Sequence, residues 1–152
     1  MLNIFVDADA CPVKEEVYRV ARRYGLRVTL VANVSMRVPD DESFTLVVVP
    51  EGIDVADDWI AERAEEGDIV ITGDIPLAAR CLARGARVIG TTGNPFTEDN
   101  VGDALATREI LSHLRDAGEV TSGPPPFTNR DRSRFLQALD TAIQSIRRAA
   151  AE

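Results

Sequence analysis

Short apolar runs alternate with segments whose apolar residues recur at helical spacing, and this alternation continues through the first 90 residues. Leu2–Val6, Arg27–Ala32, Leu46–Val49, Asp68–Thr72 and Arg87–Ile89 have the length and apolar content of buried strands. After the first strand and a loop from Asp7 to Cys11, Val13, Val17, Val20 and Ala21 share one helical face. Pro12 suits the first position of that helix, which runs to about Tyr24 and stops at Gly25. A polar loop from Asn33 to Ser43 precedes the third strand, which Pro50 closes. Asp54 is expected to cap a second helix with Ala56, Ile60 and Ala64 at helical spacing and a stop at Gly67. Pro76 opens a third helix, with Leu77, Ala78, Cys81 and Leu82 as its apolar face and Gly85 as its end. Beyond residue 90 the strand pattern stops. Gly90–Thr97 reads as a loop, Asp99–Asp116 as a helix, and Gly118–Thr128 as a stiff connector around Pro124, Pro125 and Pro126. A last helix from about Arg130 to Ala150 carries the stripe Phe135, Leu136, Leu139, Ile143 and Ile146.

Strands alternating with helices over short connections imply right-handed crossovers. The expected architecture is therefore three-layer α/β/α, with a mainly parallel five-stranded sheet covered on both faces. The 152 residues fit one domain, 1–152, and 45% of them are hydrophobic, as in a globular chain. No apolar run approaches the ~20 residues that span a membrane. The N-terminus has no basic segment ahead of its apolar stretch, so it does not look like a secretory signal, and the expected location is cytoplasmic.

Charge narrows the chemistry. The net charge of −8 argues against tight nonspecific duplex binding, and acidic clusters suit Mg²⁺ or Mn²⁺. One histidine, His113, rules out a zinc site built on several imidazoles, and two cysteines make no disulfide framework. Cys81 falls on an apolar helix face. Cys11 precedes a helix start but has no evident base, so a small, partly buried structural role is expected for it.

Ligands in open parallel sheets bind beyond the carboxyl ends of the strands. That edge collects Asp7 and Asp9 after the first strand, Asn33 after the second and Asp74 after the fourth. If the chain stays extended, Asp7 and Asp9 face one spot while Ala8 turns aside, and a divalent cation relieves their repulsion. Asp74 also stands where it could cap the helix that Pro76 opens. Arg130 and Arg134 share a helix face with Arg132 offset, which suits either a phosphate clamp or a solvated surface. The segment Gly90-Thr91-Thr92-Gly93-Asn94 is a weak phosphate-loop candidate.

The segments Val6-Asp7-Ala8-Asp9-Ala10-Cys11-Pro12, Val31-Ala32-Asn33, Ile71-Thr72-Gly73-Asp74-Ile75-Pro76-Leu77-Ala78, Phe96-Thr97-Glu98-Asp99-Asn100 and Gly123-Pro124-Pro125-Pro126-Phe127 resemble the bacterial YaiI/YqxD family. The resemblance spans almost the whole chain, up to Asp131-Arg132-Ser133-Arg134-Phe135. It implies a PIN-like domain with strand order 3-2-1-4-5 and a metal-dependent nuclease chemistry. Asp7 and Asp74 match the first-strand and fourth-strand acids of that pattern, and Asp9 is an extra candidate ligand. For the acid on the crossover helix, Asp57 or Asp58 is nearest in sequence, and Asp99 or Asp103 could complete the set. Asn33, Asn100, Arg130, Arg132 and Arg134 are candidate substrate contacts.

Three readings follow. In the first, Asp7, Asp9 and Asp74 hold Mg²⁺ or Mn²⁺ and the protein hydrolyses RNA or single-stranded nucleic acid. In the second, a strand followed by Asp7-Ala8-Asp9 makes a haloacid-dehalogenase-type phosphatase with Asp7 as nucleophile; the expected lysine from a later strand is missing, since Lys14 is the only lysine. In the third, the same edge binds a metal or RNA without catalysis.

Overall fold

The computed structural model describes residues 2–9, 11–103, 105–106 and 126–151. Its strands are β1 (Asn3–Asp7), β2 (Arg27–Ala32), β3 (Phe44–Val48), β4 (Ile69–Ile71), β5 (Arg87–Ile89) and β6 (Pro95–Phe96). They form a sheet in the order β3-β2-β1-β4-β5-β6. The five strands expected from the sequence are parallel and adjacent as anticipated. The sixth is a correction: β6 lies inside the segment read as a loop and pairs antiparallel with β5. A tight turn makes it, with Gly93 at φ 89° and the Gly90 N–H on the Asn94 carbonyl at 2.9 Å. Two residues are too few to show a strand period, and Pro95 is tolerated because β6 is an edge strand.

The helices are α1 (Lys14–Tyr24), α2 (Val55–Arg63), α3 (Ile75–Ala83) and α4 (Asn129–Ala151). Helix α1 starts after Pro12, which lies in the preceding turn. At its end Gly25 takes the left-handed φ of 65°, and the Gly25 and Leu26 N–H groups return to the Arg22 and Ala21 carbonyls. Helix α2 stops at Arg63, short of Gly67, because Ala64 is already extended. Asp54 precedes α2 but its side chain makes no capping bond; its own backbone is left-handed at φ 61°. The expected Asp99–Asp116 helix is present at 98–103 and 105–106. The rest of it, His113, Pro124 and Pro125 lie outside the described residues. Among the described residues no helix is long and apolar enough to cross a membrane.

Period-two alternation splits the strand residues between two cores. Ile4, Val6, Val28, Leu30, Ile69 and Ile71 meet Val17, Val20 and Ala21 of α1 and Phe135, Leu139 and Ile143 of α4. On the other face Phe5, Val31, Val70 and Val88 meet Ile60 of α2 and Leu77, Ala78 and Cys81 of α3. Fully burying side chains of this size contributes about 1.5–3 kcal/mol each. The loop 33–43 replaces a helix in the β2–β3 crossover and lays Met36 and Val38 on the first core.

Helix α4 returns the chain to the carboxyl edge. Thr128 and Asp131 cap it reciprocally, Thr128 N–H to Asp131 Oδ2 at 2.9 Å and Asp131 N–H to Thr128 Oγ1 at 3.2 Å. Its first turns touch two edge loops. Arg132 donates to the Pro12 carbonyl at 2.8 Å, and a Cβ on Gly93 would stand 2.6 Å from the Arg134 carbonyl carbon.

Candidate metal centre

The strand order reverses between β1 and β4, so the crevice at the carboxyl edge opens there. Val6 is paired with Ile71, which places Asp7 beside Thr72. The buried Thr72 hydroxyl donates to Asp7 Oδ2 at 2.9 Å and accepts the Asp74 N–H at 3.0 Å. One threonine therefore fixes the first acid and the backbone of the second. Asp74 Oδ1 accepts the Leu77 N–H at 2.9 Å, so Asp74 does cap α3.

Capping does not exhaust Asp74. Helices after parallel strands begin at this same edge, and Asp57 in the first turn of α2 arrives from the far face of the sheet. Its carboxyl lies near enough to that of Asp74 for the two charges to act on each other. Burial first and then the charges of Asp74, Asp7 and Asp54 push Asp57 up from 3.8 to about 6. Asp7 is also raised, by burial above all and by the charges of Asp74 and Asp9, while the Thr72 bond pulls the other way. The neighbouring Asp58 projects elsewhere and pairs with Arg80 at 2.7 Å on the exposed surface. Of the two helix acids suggested by sequence, Asp57 is the one at the site.

Asp9 is placed differently from the sequence expectation. The ladder runs one residue past β1, with the Ala8 N–H on the Val31 carbonyl at 2.9 Å, and then the chain turns. Asp9 is exposed, and both its oxygens accept the Asn33 N–H, at 3.1 and 2.9 Å. It ties the β1 loop to the end of β2, and its charge acts on Asp7 from there. The Asn33 side-chain oxygen is buried with no protein partner. Asn100 is occupied in a local cap, accepting the Thr97 N–H at 2.8 Å and donating to the Pro95 carbonyl at 2.9 Å. Arg132 is committed to Pro12 and, at 3.1 Å, to Glu16, whereas Arg130 and Arg134 are exposed. Asp99 and Asp103 are exposed on the segment 98–103. Cys11 and Cys81 are buried, and burial pushes both thiols up to about 11, which leaves neither a ready nucleophile.

Thr72 and Lys14 were not singled out for this edge. Thr72 becomes visible only once β1 and β4 are known to be neighbours. Lys14 Nζ donates to the Ala8 carbonyl at 3.2 Å, between Asp7 and Asp9.

The donor set fits a hard divalent cation. Carboxylate oxygens dominate it: Asp74 and Asp9 act on Asp7, and Asp74, Asp7 and Asp54 act on Asp57, with the Arg80 guanidinium also within reach of Asp57. Asp68 shows the contrast at the opposite edge: it is buried, but two backbone N–H groups, from Asn3 and Glu65, answer its charge. Among the described residues no three His, Cys, Asp or Glu side chains stand where together they could hold a metal ion. Asp7 Oδ2 is bonded to the Thr72 hydroxyl and Asp74 Oδ1 to the Leu77 N–H.

Fold and site together define an α/β protein with a mainly parallel sheet and a group of carboxylates at its strand-order reversal. Residues 5–145 match the family described as "Uncharacterized BCR, YaiI/YqxD family", and the chain belongs to that family. It is 56% identical over 148 residues to a UPF0178 protein of Paramagnetospirillum magneticum, covering 97% of this chain and 98% of the relative. A UPF0178 protein of Rhodospirillum centenum is 57% identical over 152 residues, covering 97% of this chain and 99% of the relative.

Proposed function

We propose that this protein is a divalent-metal-dependent phosphodiesterase acting on RNA or single-stranded nucleic acid. Asp7, Asp57 and Asp74 would hold Mg²⁺ or Mn²⁺, with Asp9 and Asn33 at the margin of the site. The observation that carries the reading is that Asp7, Asp57 and Asp74, three acids from separate elements, lie near enough for Asp74 to act on Asp7 and for both to act on Asp57. When bound, the metal supplies Lewis acidity and an activated water. The chain's own part is positional. Thr72 orients Asp7, the α3 cap orients Asp74, and α2 brings Asp57 within reach of both charges. Exposed Arg130 and Arg134 on α4 would meet the substrate backbone.

The test is Mn²⁺-dependent cleavage of end-labelled single-stranded RNA by wild type, Asp7→Asn, Asp57→Asn and Asp74→Asn. Each variant should lose roughly 100-fold or more in rate, the scale of losing a group that stabilises the transition state. Equal cleavage by all four proteins, or none by wild type across Mg²⁺ and Mn²⁺, would defeat the proposal.

A further inference from the structure

The two edges of the sheet are built differently. β6 is two residues long and begins with Pro95, and both features blunt an edge strand. β3 closes the other edge, and among the described residues β2 is the only strand paired with it. From Phe44 to Val49 the chain reads Phe-Thr-Leu-Val-Val-Val, with no charge, proline or glycine to stop a further strand from pairing.

The ladder with β2 fixes which backbone groups of β3 face outward. The Ser43 carbonyl accepts the Val28 N–H at 2.8 Å, and the Val49 N–H donates to the Ala32 carbonyl at 2.8 Å. Successive strand residues turn their backbone groups to opposite sides, so residues 43, 45, 47 and 49 serve β2 while Phe44, Leu46 and Val48 face away from the sheet. The Phe44 N–H is taken by the Asp41 carbonyl at 3.0 Å. Among the described residues, the N–H groups of Leu46 and Val48 and the carbonyls of Phe44, Leu46 and Val48 remain open.

Exposed apolar surface gathers at the same edge. Among the described residues the exposed large hydrophobics are Val34, Val48 and Ile53, at 61%, 51% and 94%. Val48 ends β3 beside Ala32, Val34 follows β2 by two residues, and Ile53 lies in the turn between β3 and α2. Single exposed apolar side chains are ordinary, but a group at one end of an open edge marks an interaction surface.

A second copy of β3 fits this edge. Laid antiparallel with Leu46 opposite Leu46, the two strands exchange Leu46 N–H to Leu46 carbonyl bonds in both directions. Each Val48 N–H then meets the other copy's open Phe44 carbonyl. Every open donor is used, and the Val48 carbonyls face the Phe44 N–H groups that the turn already holds. The opposed side chains are Leu46 on Leu46, Val48 on Phe44 and Val47 on Thr45, apolar or β-branched in each case. Moving the centre to Val47 would set the Phe44 carbonyl against Pro50, which has no N–H.

We infer that β3 is a homodimer interface, with two copies paired antiparallel about Leu46 into one continuous sheet. The contact is isologous, so it closes at two chains.

Light scattering, amide exchange and cross-linking on the full chain test this. Wild type should move from the 16.6 kDa chain mass towards twice that value as its concentration rises from about 10 μM to about 1 mM, the range of a small interface. The Leu46 and Val48 amides should exchange at least about tenfold more slowly at the dimer end of this range, while those of Thr45 and Val47 are protected at both ends. Val48→Lys should raise the dimer dissociation constant at least about tenfold, through the two Val48–Phe44 contacts it disrupts. Overall charge predicts the reverse, since an added lysine reduces the −8 of each chain and the repulsion between copies. Val48 is half exposed, so the variant should melt within about 2 °C of wild type. Leu46→Cys should cross-link copy to copy under mild oxidation, because opposed residues of a hydrogen-bonded pair stand about 5.5 Å apart and the native Cys11 and Cys81 are buried. Glu62→Cys, exposed on α2, should not. A monomer across the whole range, which would leave the edge to some other partner, overturns the inference. So does a dimer indifferent to Val48→Lys, one whose Leu46 and Val48 amides exchange as fast as in dilute solution, or cross-linking of Glu62→Cys in place of Leu46→Cys.

Discussion

Replacing Asp57 with asparagine should stabilise the metal-free protein at alkaline pH. In the fold the Asp57 carboxyl titrates near 6, against an ordinary 3.8. The native state therefore binds more protons than the unfolded chain between these values. The Asp57 contribution to stability is fully present below about pH 4 and is lost as the pH rises through 6, where Asp57 must ionise beside Asp74 and Asp7. At about 1.36 kcal/mol per pH unit, the full gap corresponds to about 3 kcal/mol at pH 8. Asp57 is only half-buried, and solvent screening reduces this to about 1–2 kcal/mol. An asparagine keeps the shape, removes the charge, and offers Asp74 a donor. For a chain of this size, the melting temperature in EDTA should rise by about 3–6 °C at pH 8 and change little at pH 4. Circular dichroism melts of both proteins at the two pH values check this. A variant less stable than wild type at pH 8, or an equal shift at both pH values, would refute the repulsion argument.

Asp74 carries two duties that substitutions can separate. Asp74→Ala loses the bond to the Leu77 N–H and should cost about 1 kcal/mol in urea unfolding, while Asp74→Asn keeps an accepting oxygen and should be close to wild type in stability. Both should lose Mn²⁺ binding alike. Protons and metal compete for Asp57, so Mn²⁺ affinity measured by calorimetry should be steady above about pH 7 and fall as the pH drops below 6, by up to about tenfold per unit; affinity independent of pH from 5 to 8 would contradict this. Gly93→Ala should cost at least about 2 kcal/mol, because its φ is 89° and the new Cβ would press on the Arg134 carbonyl rather than on a side chain. An unchanged urea midpoint would show that the contact between this loop and α4 is loose.

The sheet was legible because its strands are fully buried and read as continuous apolar runs. The run Ile69–Ile71 is an example, with all three residues buried. β6 was not legible, since two residues made by a glycine turn leave no pattern. Asp7 and Asp74 were visible from the crevice rule, which depends only on where strands end. Asp57 could be narrowed only to a pair, because adjacent helix residues differ by about 100° in direction and nothing local says which of them faces the sheet edge. Packing of Ile60 and Ala56 against Phe5 and Val31 sets that rotation. Asp9 was read as extended with Asp7; the Asn33 N–H at the end of β2 captured it instead, a contact across 24 residues. Of the two roles the sequence allows Asp74, the structure shows the cap, with Oδ1 on the Leu77 N–H.

The central claim is that Asp7, Asp57 and Asp74 form one divalent-cation site. Anomalous diffraction from crystals grown with Mn²⁺ tests it most directly. A three-carboxylate site gives a single strong manganese peak bonded to carboxylate oxygens of Asp7, Asp57 and Asp74, with Asp58 still on Arg80. A peak held by other acids, or none at this edge at saturating Mn²⁺, would contradict it.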